Sequence, residues 1–222
     1  MAHSGMAVLV IDVQRYYTES TSPLVLFTET LYPGGTAYIH QRLDAVVIPN
    51  IARILSAARV SSVPIIYARL CGTQDDRSDL HRNFQEFDQL AFAKTGMHVY
   101  PLASESLADV DLRIAPLKND IVINKTGYSA FHETGLHQLL QSKGIGTLVV
   151  TGLTTSQCVN SSARAASDYG YVTVMVEDLP TFRAKVGRSR DNVALKIIEK
   201  IKRPESVKSE LQVFTKGGRR LD

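Results

Sequence analysis

Cysteine is scarce: Cys71 and Cys158 are the only two in 222 residues. That is too few for the disulfide frameworks of small secreted domains, and both read as free thiols. Long apolar runs are missing as well. None approaches the roughly eighteen residues needed to cross a bilayer, and Met1 to Gly5 lacks the basic-then-apolar pattern of a secretory signal. The expected setting is cytoplasmic, with no membrane partner. Charge of one sign is also lacking, since 25 Lys+Arg against 22 Asp+Glu leave a net +3, and Lys216, Arg219 and Arg220 form only a short basic cluster. A nucleic-acid partner is therefore not expected. No G-x-G-x-x-G follows the first apolar segment, which argues against a nucleotide- or flavin-binding protein. Internal repeats and low-complexity linkers are absent.

What is present is core material. Hydrophobic residues make up 44% of the chain, enough for a single domain over residues 1–222, with residues 1–5 expected to be disordered or foreign to the native chain. The segment 7–13 (AVLVIDV) is apolar without alternation, as expected of a strand buried on both faces of a parallel sheet. Similar runs recur at 63–68, 121–124, 147–151 and 172–176. Between them lie helical spacings: Ile48, Ile51, Ile54, Leu55 and Ala58; Leu136, Leu139 and Leu140; Val159, Ala163 and Ala166; Val193, Ile197 and Ile201. Strands alternating with helices predict an α/β fold with a doubly wound sheet. Two stretches, 18–36 and 71–106, read as long irregular loops, with Phe84, Phe87 and Phe92 in the second as a candidate subunit contact or substrate cover.

In such a sheet, ligands bind in the crevice at the carboxyl ends of the strands. Asp12 closes the first predicted strand, Lys125 follows the 121–124 strand, and Cys158 falls in the first turn of the helix after 147–153. A helix N-terminus favours a thiolate, so a lowered thiol pKa and a nucleophilic role are expected for Cys158. Asp12 is placed to take the thiol proton and return it to a leaving amine, with Lys125 holding Asp12. Each residue also has an ordinary alternative: the cysteine as a small buried hydrophobe, the aspartate as a helix cap, the lysine as a solvated strand end.

Three segments resemble one family. Residues 151–159 (TGLTTSQCV) resemble the nucleophile loop of the isochorismatase-like cysteine hydrolases, 7–14 (AVLVIDVQ) the opening strand with its catalytic aspartate, and 124–131 (NKTGYSAF) the segment bearing its lysine. The resemblance implies a six-stranded, mostly parallel sheet with helices on both faces and a catalytic triad of Asp12, Lys125 and Cys158. It also implies a non-proline cis peptide between Leu153 and Thr154, and an oxyanion hole from the backbone N–H groups of Thr154 and Cys158. No cofactor is implied, and the partner is a small-molecule amide, with homo-oligomers (dimers or tetramers) usual in the family.

The cysteine argues against vinyl-ether hydrolysis, because isochorismatases proper lack it, and favours cleavage of an amide, carbamoyl or ureido C–N bond. Ser22 to Leu24 and Thr154 to Ser156 resemble the N-carbamoylsarcosine, maleamate and ureidoacrylate amidase branches. In those branches an arginine binds a substrate carboxylate, and Arg183, twenty-five residues past Cys158, stands at that offset; a solvated loop arginine is the alternative. Gln157 departs from the glycine favoured before the nucleophile. Gln14, Tyr16, Tyr128 and Phe131 are the remaining expected pocket residues. Two alternatives stay open: a zinc-containing nicotinamidase-like amidase, with Asp79, His81 and His98 as potential ligands although Phe87 occupies the place of a further histidine, and a binding protein that has lost catalysis.

Overall fold

The computed structural model describes residues 5–176. Within them five strands, β1 (Gly5–Ile11), β2 (Ile65–Leu70), β3 (Ile121–Lys125), β4 (Ile145–Gly152) and β5 (Val172–Met175), form one sheet in the order β3-β2-β1-β4-β5. Every neighbouring pair is parallel. The fold is α/β; the sixth strand that the resemblance implies is not among the described residues. Gly5, in the stretch expected to be disordered, belongs to β1, where its N–H donates to Gly144 O at 3.0 Å.

The absence of alternation in β1 has a direct cause, since both faces are covered. Ala7, Leu9 and Ile11 point into one core with Leu136, Leu140 and Ala166. Val8 and Val10 point into a second with Ile51, Ile54 and Leu55. The first layer is built by α5 (Arg82–Thr95), α6 (Leu136–Ser142) and α7 (Asn160–Asp168), the second chiefly by α4 (Ile48–Val60). Helices on both faces make the sheet doubly wound. In contrast to β1, the edge strand β3 alternates half-buried and exposed residues up to its last, Lys125, which is buried.

The two stretches expected to be irregular hold helices. The stretch 18–36 contains α2 (Pro23–Leu31), following the short α1 (Arg15–Thr18) and preceding α3 (Ala37–Arg42). Ser22 caps α2 by accepting from the Val25 N–H at 3.3 Å, and Pro23 stands where its missing N–H costs nothing. The stretch 71–106 contains α5, which ends at Gly96 in the left-handed conformation (φ 71°). Its inward face of Phe84, Asp88 and Ala91 recurs at intervals of four and three, but abundant charge around it hides the apolar stripe. Phe84 is buried and Phe87 packs on Phe27 with ring centroids 5.4 Å apart. These two face inward rather than toward a partner, and Phe92 is half-exposed, stacked on His98.

Strand order reverses between β1 and β4: β2 and β3 lie to one side of β1, β4 and β5 to the other. The carboxyl ends of β1 and β4 therefore open the crevice in which such sheets bind ligands.

Candidate active site

Asp12 leaves β1 in the left-handed region (φ 53°), with its N–H bonded to Ala68 O at 2.9 Å. Aspartate tolerates this conformation better than most residues. Lys125 ends β3, two strands away, and its register partner on β2 is Leu70. The gap across β2 is about 10 Å at ordinary strand spacing, and only a long side chain crosses it. Lys125 Nζ lies 2.8 Å from Asp12 Oδ2 and donates to Gly127 O at 2.9 Å. Its side chain is fully buried. The other carboxylate oxygen, Oδ1, is buried without a hydrogen-bond partner of good geometry, a cost that ordinary packing does not accept.

Cys158 approaches this pair from β4. After Leu153 the chain turns through a π-helical segment, Thr155–Val159, that runs into α7. The Leu153–Thr154 peptide is cis. Cys158 is 5% exposed and its thiol senses both Asp12 and Lys125 by charge and by hydrogen bonding. Burial, then the negative charge of Asp12, push the thiol well above its ordinary 9.0, against an opposing pull from Lys125. The lowered thiol pKa expected from the helix start is thus reversed by desolvation. Burial also raises the Asp12 carboxyl above 3.8, partly offset by Lys125. Burial works against the Lys125 charge, yet Asp12 and Cys158 outweigh it and hold the ammonium above 10.5. The thiol therefore rests protonated beside the closed Lys125–Asp12 pair.

Asp12 and Cys158, though not Lys125, line a cavity of about 190 Å³. Leu70, Leu153, Thr154 and Gln157 line it as well, and its aromatic lining is Tyr16, Tyr17, Phe84, Phe87 and Tyr100. Tyr16 lies where the sequence reading placed it. Gln14, Tyr128 and Phe131 do not line the cavity. Gln14 is fully buried, donating from Nε2 to Leu70 O and Ala108 O and accepting from the Leu70 N–H at 2.7 Å. Tyr128 packs behind Phe84 and accepts from Asn83 Nδ2 at 3.2 Å, and Phe131 stacks on Tyr169. Arg183 lies outside the described residues. Phe84 and Phe87, named from the sequence as a candidate substrate cover or subunit contact, line the cavity, whereas Tyr17 and Tyr100 were not anticipated. Tyr17 had a signal in its place just beyond β1, whereas Tyr100 reaches the cavity from a distant loop that no local pattern connects to Cys158.

The proposed zinc ligands serve other ends. Asp79 accepts from Thr73 N–H and Oγ1–H and from the Gln74 N–H. His81 caps α5 by accepting at Nδ1 from the Asn83 N–H. His98 pairs with Asp88 at 2.6 Å. Among the described residues no three His, Cys, Asp or Glu side chains converge as a metal site would require.

A doubly wound parallel sheet with a buried cysteine, aspartate and lysine brought together at its switch point defines an α/β protein that holds the side chains nucleophilic chemistry requires. More narrowly, the chain belongs to the isochorismatase family: the family model of the Isochorismatase domain matches residues 6–196. The chain is 35% identical over 125 residues to N-carbamoylsarcosine amidase from Arthrobacter sp, a match covering 56% of this chain and 46% of that enzyme, so the chain spans a little under half of its length. It is 33% identical over 183 residues to ureidoacrylate amidohydrolase RutB from Rhizobium rhizogenes, covering 79% of this chain and 70% of that enzyme. Among solved structures, a cysteine hydrolase from Pseudomonas syringae pv. phaseolicola 1448A shares the fold, with a TM-score of 0.65 and 24% identity over 93% of this chain and 95% of that one. No helix among the described residues is long and apolar enough to cross a membrane.

Proposed function

We propose that the protein is a cysteine-dependent amidohydrolase that cleaves the C–N bond of a small amide, carbamoyl or ureido substrate. The observation that carries this is the Lys125–Asp12 pair, closed at 2.8 Å in full burial beside the cavity thiol of Cys158. A buried ion pair seldom repays its desolvation as stability alone. Here it leaves one carboxylate oxygen free next to a thiol that needs a base.

In the proposed reaction Asp12 accepts the thiol proton as Cys158 Sγ bonds to the substrate carbonyl carbon. The carbonyl electrons move to oxygen, and the N–H groups of Thr154 and Cys158 hold the oxyanion; the Thr154 N–H has no partner among the described residues. The carbonyl reforms as the C–N bond breaks, Asp12 delivers its proton to the nitrogen, and ammonia or an amine departs. Water then attacks the thioester, giving its proton to Asp12, and the C–S bond breaks as the proton returns to sulfur. A carboxyl held above its ordinary range is suited to carry a proton both ways. Lys125 keeps Asp12 ionised between turnovers.

The relatives named as N-carbamoylsarcosine and ureidoacrylate amidohydrolases support this substrate class. The reading extends to assembly as a dimer or tetramer, which sedimentation checks. The decisive test is ammonia release across nicotinamide, maleamate, carbamoyl-amino acids, ureidoacrylate-like compounds and biuret, with Cys158→Ala as control. Turnover abolished in a folded Cys158→Ala protein is the expected result; full activity in that variant would overturn the proposal.

A further inference from the structure

Three tyrosines that line the cavity have no hydrogen-bond partner for their hydroxyls among the described residues. Tyr16 is 3% exposed, and its ring packs edge-on against Tyr17 at 6.3 Å and Tyr100 at 6.0 Å. All three line the cavity. The other three tyrosines that are not exposed each engage their hydroxyl: Tyr67 donates to Ile114 O at 2.9 Å, Tyr128 accepts from Asn83 at 3.2 Å, and Tyr171 bonds the His137 ring at 2.9 Å. Tyr16, Tyr17 and Tyr100 make no such bond among the described residues, and their oxygens are not among the sealed, partnerless polar atoms. The rings that carry them line the same cavity as Asp12 and Cys158.

Packing alone does not call for phenols here. Phe84 and Phe87 supply bare rings to the same wall, and a hydroxyl without a partner in an aromatic site costs free energy until water or a ligand bonds it. Burial, with the negative charges nearby, pushes all three phenols above their ordinary 10.0. They therefore stay protonated and present donors.

We infer that Tyr16, Tyr17 and Tyr100 form a specificity wall that reads a hydrogen-bond acceptor on the acyl part of the substrate, away from the bond that meets Cys158. The class selected is a small acyl group carrying a carbonyl, carboxylate or ring-nitrogen acceptor. The inference rests on the amidohydrolase reading only for which bond is cleaved, and its test measures occupancy instead of turnover.

The test follows alkylation of Cys158 by iodoacetamide, read by peptide mass, and its slowing by two matched pairs of amides. Nicotinamide and benzamide differ by a ring nitrogen; maleamate and cis-crotonamide differ by a carboxylate in place of a methyl. In the wild-type protein the acceptor-bearing member of at least one pair is expected to protect at a concentration about tenfold lower than its partner, the difference one or two hydrogen bonds supply. Of Tyr16→Phe, Tyr17→Phe and Tyr100→Phe, made singly, at least one is expected to reduce that preference about threefold or more while leaving protection by the acceptor-free amide unchanged. The acceptor-free amide reports the integrity of the pocket, and a variant that misfolds leaves the other two to be read. Equal protection within both pairs, no protection by any amide, or a preference that survives all the folded Phe variants would overturn the inference. If protection follows the phenols but no amide releases ammonia, the wall stands and the amidohydrolase reading fails. If amides turn over but protection is indifferent to the phenols, the wall fails and the amidohydrolase reading stands.

Discussion

Lys125 reaches from β3 across the end of β2 to close on Asp12 at 2.8 Å, so that two strands that are not neighbours in the sheet share one buried ion pair. Removing only the ammonium strands a carboxylate in full burial. Lys125→Met, which keeps most of the stem, is expected to destabilise the protein by about 3–5 kcal/mol, the usual cost of an uncompensated buried charge. Adding Asp12→Asn is expected to recover much of that lost stability while abolishing turnover. Chemical denaturation of the two single variants and the double variant measures the coupling. A double variant no more stable than Lys125→Met would show that the pair is not a closed unit.

The pH dependence separates base-assisted attack from a preformed thiolate. Asp12 must be ionised to accept the thiol proton, and burial holds its carboxyl above 3.8 against the pull of Lys125. Activity should therefore rise with pH through a carboxylate pKa displaced upward from its ordinary value. The thiol stays above 9.0 and the ammonium above 10.5, so kcat/KM should be level from that limb to at least pH 9. Whatever activity Lys125→Met retains should show the acid limb moved to still higher pH, because the group that lowers the carboxyl is gone. Stability follows the same sign: a carboxyl raised in the folded state favours folding most at low pH and loses that contribution as pH rises through the raised value. A rate that instead climbs through the thiol range would indicate attack by a thiolate formed before the substrate binds.

Much of this site could be read in the sequence because its three polar groups each terminate a recognisable element. Asp12 and Lys125 end apolar strands, and Cys158 opens the helix after another. Asp12 stands out because the run before it buries both faces and tolerates no charge. The cavity wall was harder to read. Tyr100 meets Tyr16 only through tertiary packing, and the helix that carries Phe84 and Phe87 is masked by the charged residues on its outer face. Gln14 misled for a related reason, since a polar residue two past Asp12 looks like a pocket residue when its hydrogen-bond partners, Leu70 and Ala108, lie far along the chain.

Those partners give Gln14 a positioning role. Its amide ties the end of β1 to the end of β2 and to the segment around Ala108 through three bonds of 2.7 to 3.0 Å. Gln14→Leu fills similar space but leaves the Leu70 N–H and two carbonyls without partners. The expected cost is about 1–3 kcal/mol for each group left unsatisfied, lowered where local shifts admit water. Because Asp12 is two residues away, kcat should fall more than KM rises. Gln14→Glu is the informative companion: it keeps an acceptor for the Leu70 N–H but loses the donors, and should fall between wild type and Gln14→Leu in thermal unfolding.

Gly152 tests whether the crevice depends on β4 lying tight against β1. It has φ +124°, and a Cβ built there would sit 2.0 Å from Ile11 O and 2.5 Å from Ile11 N, with no flexible side chain to yield. The next residue completes the approach, as the Leu153 N–H donates to Ile11 O at 2.7 Å. Gly152→Ala should therefore incur both a backbone strain of about 1–3 kcal/mol and a separation of the strand ends that carry Asp12 and the Cys158 turn. Gly170→Ala is the control: its φ of +84° imposes strain, but nothing lies within 4 Å of the added Cβ. If close approach matters, Gly170→Ala loses modest stability and keeps its activity, whereas Gly152→Ala loses more stability and its activity as well. Matching losses in the two variants would mean that φ alone accounts for the glycine, with the contact between β1 and β4 contributing nothing to the site.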